Sequence, residues 1–181
     1  MPAASGGARS NHTIRPDEPP DHAIGRSRGG LTTKIHLICD GQGRPLSLHL
    51  TPGNVNDTTE LERLLDGVRV ARQVGRPRTR PDRLIADKGY SSRANRQLLR
   101  RRRIKVTIPE RDDQLANRRR RGVKGGRPYR FDTMVYKARN VVERCFNKFK
   151  QWRGIATRYD KTATNYAGAL TLAALFMWIA R

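Results

Sequence analysis

The stretch RLIADKGYSSRANRQLLRRRRIKVTIP, residues 83–109, decides the fold. Arg83 to Ala86 is a short apolar strand that ends at Asp87. Lys88-Gly89-Tyr90 turns the chain, and Ser91 or Ser92 caps a helix running to about Arg102, because a hydroxyl there accepts an orphan N–H of the first turn. Ile104 to Ile108 is a second strand, ended by Pro109. Strand, helix and strand at this spacing form a βαβ unit, so the two strands are parallel and the chain is α/β.

Upstream, Thr33 to Asp40 reads as a strand, Gly41-Gln42-Gly43 as a turn, and Leu46 to Thr51 as a strand with Leu46, Leu48 and Leu50 on one face. Together they make a β-hairpin. Pro52-Gly53-Asn54 ends it. Asp57 starts a helix with Glu60 three residues on, a capping-box pattern, and Leu61, Leu64, Leu65 and Val68 give that helix an apolar stripe. Residues 71–82 form a basic loop. Residues 1–30, rich in Gly, Pro, Ser and Arg without a hydrophobic period, read as a disordered tail to a domain spanning 31–181.

Downstream, residues 110–130 read as a basic, glycine-containing loop. A long helix follows from about Asp132 to Trp152, broken by Gly154, and a last helix runs from about Thr162 to Ala180. The apolar run from Ala167 to Ala180 is too short to span a bilayer, so it reads as a buried terminal helix.

Charge narrows the partner. Of 181 residues, 38 are Lys or Arg and 16 are Asp or Glu, a net charge of +22. A field of that size points to a polyanion, and nucleic acid leads that class. The arginine runs at 100–103 and 118–121 are expected to meet phosphates rather than bases, or else to lie solvated in flexible segments. Cys39 and Cys145 are too few and too scattered for a disulfide framework or a zinc site, and fit a reducing cytoplasm. His12, His22, His36 and His49 lack metal-ligand spacing; His36 and His49 read as strand residues. With no apolar run near residue 1, no signal peptide is expected, and the expected location is cytoplasmic, at the nucleoid.

Two segments carry candidate chemistry. Asp87 stands at the carboxyl end of a parallel strand, where open α/β sheets place ligand sites; alternatively it is a turn aspartate that caps the next helix. On the long helix, at about 100° per residue, Tyr136, Arg139, Glu143 and Lys150 fall within about 60° of one another. Val142, Cys145, Phe146 and Phe149 fill the neighbouring sector. Spacing alone supports no more than an amphipathic helix with an Arg139–Glu143 pair, stabilising by about 0.2–0.5 kcal/mol. Asp87 and Glu143 on converging elements suggest a Mg²⁺ (or Mn²⁺) site, since such ions take hard oxygen ligands and keep phosphate oxygens in their shell. Arg139 and Lys150 beside it suit phosphates, and Tyr136 suits a base or a phosphate.

Tyr136, two residues, Arg139, three residues, Glu143, six residues, Lys150 resembles the Y-R-E-K signature of bacterial insertion-sequence transposases with an Asp-Asp-Glu site. LIADKGYSS around Asp87 resembles their second catalytic aspartate. GRSRGGLTTKIHLICDGQGRPLSLHLTPGNVNDT, residues 25–58, resembles the hairpin after their first catalytic strand. NVVERCFNKFKQWRGIATRYDKTA, residues 140–163, is similar to the family at nearly every position. The resemblance covers about residues 25–181 and is closest to the family-five branch, of the family-five and family-four type. It implies a ribonuclease H-like fold, five strands in a mixed sheet with helices on both faces. It implies Mg²⁺-dependent cleavage of transposon ends and joining of a 3′-hydroxyl to target double-stranded DNA, with Asp87 as second acid and Glu143 as third, both metal ligands. Tyr136, Arg139 and Lys150 then contact DNA, and the protein acts as a dimer on it.

The family's first aspartate lies on a strand upstream of the Gly25–Gly30 stretch. MPAASGGARSNHTIRPDEPPDHAI, residues 1–24, holds no strand followed by such an aspartate: Asp17 and Asp21 sit among prolines, and Asp40 lies beyond that position. The expectation is a sheet without its first strand, an upstream frame product that supplies the missing acid, and a chain inactive without it. Exposed strand edges then make the isolated chain marginally stable. The alternative is a non-catalytic relic that still binds DNA. A general basic binding protein, such as a ribosomal one, does not explain the Y-R-E-K spacing together with the Asp87 segment.

Overall fold

The computed structural model describes residues 22–180. The tail expected over residues 1–30 falls outside them up to residue 21, and its last part is ordered. There β1 (Gly25–Ser27) pairs antiparallel with the start of β2 (Gly30–Cys39), and β2 pairs antiparallel with β3 (Pro45–Pro52). The β1 pairing begins before any hydrophobic alternation does, which is why composition hid it. At the β2–β3 turn, Gly43 takes φ +80°, a conformation that costs glycine little. Asp40 Oδ1 accepts the N–H groups of Gln42 and Arg44 at 2.9 Å, and its carboxylate meets the Arg44 guanidinium at 2.6 Å. Asp40 is thus committed to the turn.

The hairpin is covered on both faces. Ile35 lies opposite Leu50 and Leu37 opposite Leu48, and these four pack with Cys39 against the helices that follow residue 140. The other face presents His36, Ile38, His49 and Thr51. Here His36 Nε2 meets Thr51 Oγ1 at 2.7 Å, His49 Nε2 meets Glu60 at 3.4 Å, and Ile38 packs on a leucine cluster.

Burial pushes the pKa of both histidines down. Asp57 and Glu60 oppose the shift at His36 while Lys34 assists it; at His49, Arg63 and His36 assist and Glu60 opposes. A histidine with a depressed folded pKa takes up its proton first in the unfolded chain. Stability is therefore full above about 6.5 and declines as pH falls through that value towards the folded pKa. Thermal melts at pH 7.5 and 5.5 should show a lower Tm at 5.5, and the His36→Gln/His49→Gln double variant should flatten the difference. An undiminished slope in that variant assigns the effect to other groups.

Asn56, not Asp57, caps the next segment: its Oδ1 accepts the N–H of Thr58 at 3.1 Å. A 3₁₀ turn over Asp57–Glu60 then leads into α1 (Leu61–Asp66). Leu61, Leu64, Leu65 and Val68 are all buried, as the stripe implies. Gly67 ends α1 so close to β3 that a Cβ there would lie 2.5 Å from Ser47 Oγ. The 71–82 loop is crossed by a single bridge between Val70 and Arg78.

The βαβ unit forms as read. β4 (Arg83–Ile85), α2 (Arg93–Arg101) and β5 (Lys105–Thr107) follow in order, and β4 and β5 pair in parallel. Ser92 Oγ accepts the N–H of Asn95 at 3.2 Å. Leu84, Leu98, Leu99, Ile104 and Ile108 join Leu61 and Leu65 in one core. Arg102, in the 100–103 run, holds Asp66 at 2.8 Å and Glu62 at 3.3 Å, so this arginine ties α2 to α1.

The basic loop expected over 110–130 contains a helix, α3 (Asp112–Arg120). It has almost no apolar period, so the pattern could not reveal it. Its ends explain it instead: the N–H of Arg111 donates to Gln114 Oε1 at 3.3 Å. Asp112 and Asp113 stand in the first turn, and Arg118–Arg120 in the last, complementing the helix dipole.

The long helix expected from Asp132 to Trp152 comes in pieces. Asp132 caps α4 (Thr133–Tyr136), the chain tightens to 3₁₀ over Lys137–Arg139, and α5 (Asn140–Lys150) follows. The break lies at Trp152, whose extended backbone starts α6 (Arg153–Thr157). Gly154 sits inside α6 rather than breaking the helix, and Arg158 ends α6 at φ +51°. α7 (Ala163–Ile179) starts at Thr162, whose Oγ1 accepts the N–H of Asn165 at 3.2 Å. Cys145, Phe149, Ile155, Tyr166, Leu170 and Ala173 form the second core. The terminal helix is only half buried: Leu172, Leu175, Phe176 and Ile179 are exposed. Among the described residues no helix is long and apolar enough to cross a membrane.

In place of one five-stranded sheet there are two, β1-β2-β3 and β4-β5. Among the described residues no ladder joins the two sheets. The side chain of Ile38 links them by packing on the core that holds Leu84.

Candidate active site

Asp87 follows β4 directly, beyond Ala86, whose N–H donates to Thr107 O at 3.4 Å. Its Oδ1 accepts the N–H of Gly89 at 2.9 Å and caps a 3₁₀ turn over Lys88–Tyr90. The turn-cap role read from the sequence therefore holds, but it occupies one oxygen. The side chain is exposed, and among the described residues Oδ2 makes no hydrogen bond.

The Asp87 turn is locked to the Asp57–Glu60 turn. Thr58 Oγ1 donates to Gly89 O at 2.9 Å, and Asn95 Nδ2 donates to Thr58 O at 3.1 Å and to Tyr90 O at 3.3 Å. Burial raises the pKa of the Tyr90 phenol well above its ordinary value, and the charges of Asp57, Asp87 and Glu60 add to the rise. Three carboxylates thus share the field around one tyrosine. Lys34 Nζ, 3.0 Å from Asp57, offsets one of them. Asp57, Tyr90 and Asn95 were not among the residues read as functional, since nothing in local spacing links positions thirty apart.

On the helical segment, Arg139 Nη2 donates to Glu143 Oε1 at 2.5 Å, and its guanidinium lies 5.9 Å from the centre of the Tyr136 ring. Phe131 flanks that ring at 5.1 Å. The 3₁₀ stretch brings residues three apart into line, so Tyr136 and Arg139 stack along one edge. The hydrogen bond to Glu143 raises the Arg139 pKa; the charges of Glu143, Tyr136 and Asp87 raise it further. Of these charges, that of Asp87 contributes least. Lys150 is exposed and seven residues beyond Glu143, about 10 Å along the axis. It extends the face rather than joining the cluster.

Cys39 packs against the core that holds Cys145, and the neighbouring Cys39 thiol together with burial pushes the pKa of the Cys145 thiol up. Among the described residues, no three His, Cys, Asp or Glu side chains form a group able to hold a metal. Asp87 and Glu143 each keep one carboxylate oxygen without a hydrogen bond among the described residues. That donor set suits a hard divalent ion which completes its shell with water and phosphate oxygens.

The family model for the transposase DDE domain matches residues 8–178. The "Putative transposase for insertion sequence element IS6501" of Brucella ovis is 31% identical over 149 residues, covering 82% of this chain and 99% of that protein. The "Putative transposase for insertion sequence element IS402" of Burkholderia cepacia is 34% identical over 148 residues, covering 81% of this chain and 62% of that protein. No solved structure matches the chain.

Proposed function

Since the chain belongs to the transposase DDE domain family, we propose that Asp87 and Glu143 are the second and third carboxylates of an insertion-sequence transposase. Family membership carries DNA transposition as the general role, and domains of this family generally use divalent metal ions. The finer reading is cleavage of transposon-end DNA followed by joining of the freed 3′-hydroxyl to target DNA. The observation that supports it is that Asp87 ends a parallel strand with one carboxylate oxygen free, while Glu143 is gripped by Arg139 with one oxygen likewise free.

Each residue then has a task. Asp87 is held by the N–H of Gly89 with one oxygen free, and Glu143 is held by Arg139 with one oxygen free; both free oxygens would ligate Mg²⁺ or Mn²⁺. An ion held there would supply Lewis acidity, the chemistry that activation of a water or a 3′-hydroxyl needs. Arg139 orients Glu143 and presents its remaining N–H donors to a phosphate. Tyr136, backed by Phe131, offers a ring face or a hydroxyl to the strand. Lys150 meets the DNA backbone further along the face. The first carboxylate of the set would come from outside the described residues. A ribonuclease H-like arrangement is supported by the parallel β4–β5 pair, the antiparallel hairpin and helices on both hairpin faces.

The test is incubation with DNA carrying the element's own ends, in Mg²⁺ or Mn²⁺ and in EDTA. Nicking at the ends that needs the ion supports the reading. Binding without nicking, even with the upstream segment supplied, leaves the non-catalytic relic.

Binding itself should be steeply salt-dependent. With about four phosphates neutralised, a log–log slope near −4 is expected, weakening affinity roughly 10²-fold between about 50 and 200 mM salt. Fluorescence anisotropy over that range reads the slope, and a flat response removes phosphate contact from the account.

A further inference from the structure

A cluster of arginines gathers where α2, α3 and the segment after α3 meet. These elements line an open cavity of about 390 Å³, within the size range of small-ligand pockets. Its walls include Arg93, Arg96, Arg118, Arg121, Glu110 and Tyr129, four cations to one carboxylate. None of the candidate active-site residues lines it.

The interior donors are under-used. Arg96 is 8% exposed. Its Nη2 donates to Ile108 O at 3.0 Å and its guanidinium stacks 4.0 Å from the centre of the Tyr129 ring, yet its Nε meets no acceptor among the described residues. No described carboxylate forms an ion pair with it. Arg118 is engaged by Glu110 and donates from Nη1 to Arg127 O at 3.0 Å; its Nε is likewise buried without an acceptor. Leaving a buried charged donor unsatisfied is costly. Arg96 and Arg118 both line the cavity, and with Arg93 and Arg121 exposed beside them their guanidinium groups match a tetrahedral anion that offers several acceptor oxygens. Gln114 holds the walls together: it accepts from Ser91 Oγ at 3.0 Å and donates to Ser91 O at 3.2 Å.

We propose that this cavity is a phosphate-binding site, separate from the Asp87–Glu143 centre, that takes a phosphate group with Arg96 and Arg118 beneath it and Arg93 and Arg121 above. The site stands on its own geometry; only DNA as the source of the phosphate rests on the transposase reading. Isothermal titration of the full chain with inorganic phosphate tests it. Because the protein is so basic, the Arg93→Gln/Arg121→Gln variant is compared with Arg72→Gln/Arg76→Gln, which removes equal charge from the exposed 71–82 loop. The rim variant should bind phosphate about tenfold more weakly, the scale for lost charge-assisted hydrogen bonds, and the loop variant should match the unmodified chain. Equal weakening in both variants, or none in the rim variant, overturns the proposal. Arg96→Lys, which keeps charge but loses the fork, should also weaken binding, with circular dichroism confirming its fold. Duplex DNA titrations then separate the sources. A salt slope shallower by about one in the rim variant than in the loop variant assigns the phosphate to the DNA backbone. Equal slopes with weakened inorganic phosphate binding support the site and assign it a free phosphate or nucleotide. DNA binding that persists while the phosphate test fails sinks the pocket and spares the transposase reading.

Discussion

Glu143→Gln is expected to lower transposon-end cleavage roughly 10³-fold or more while leaving DNA affinity close to that of the unmodified protein. The change is nearly isosteric, and Glu143 is exposed, so no core contact is lost. What disappears is the negative charge that Arg139 positions at 2.5 Å. The fold should hardly notice, since an i,i+4 pair of this kind contributes about 0.2–0.5 kcal/mol. Catalysis should notice strongly, because a carboxylate that seats a divalent ion underlies several kcal/mol of transition-state stabilisation. Asp87→Asn should behave alike: the amide oxygen can still accept from the Gly89 N–H, so the turn survives while the charge does not. Arg139→Lys should fall between, keeping the cation but losing its fork. Cleavage is compared in whichever preparation the unmodified protein cleaves, and Mn²⁺ affinity by titration gives a readout independent of turnover. Cleavage that survives Glu143→Gln, or Mn²⁺ binding unchanged in both carboxylate variants, would remove these residues from the centre.

How much of this was legible follows from which interactions are local. The βαβ unit was readable because strand length, a serine cap and a proline stop all lie within residues 83–109, and Ser92 caps α2 as read. The place of Asp87 just after the end of a strand was readable for the same reason. α3 was not, because its stabilising features are a capping glutamine and terminal charges rather than an apolar stripe. The tightening at Lys137–Arg139 is a backbone adjustment with no residue signature. The juxtaposition of Asp57 with Tyr90 and of Cys39 with Cys145 depends on how separate elements pack. Arg96, which is buried, carries no signal in the sequence, because sequence does not reveal which arginine the tertiary fold buries.

The same separation of roles along α5 makes the second large effect specific. Phe149→Ala should cost about 3–5 kcal/mol, a large share of the about 5–15 kcal/mol that holds a domain folded. Phe149 is 1% exposed. It sits in a core with Ile155, Tyr166, Leu170 and Ala173, against which Ile35, Leu37, Leu48 and Leu50 of the hairpin pack. The two layers that border it come from distant parts of the chain, so collapse is restricted. Phe146, on the same expected apolar stripe but only half buried, should cost clearly less when changed to Ala. Urea unfolding reads both, as a shift in midpoint at unchanged m-value. Phe146→Ala as damaging as Phe149→Ala would show that the stripe, rather than this one buried position, anchors the helix. The expected inequality has a functional corollary. α5 carries Glu143 on its exposed side and Phe149 on its buried side, so the core residue fixes the helix against β2 and β3 and thereby fixes where the carboxylate faces. At temperatures where Phe149→Ala remains folded, its cleavage rate should still fall, whereas Glu143→Gln should lose cleavage without losing stability.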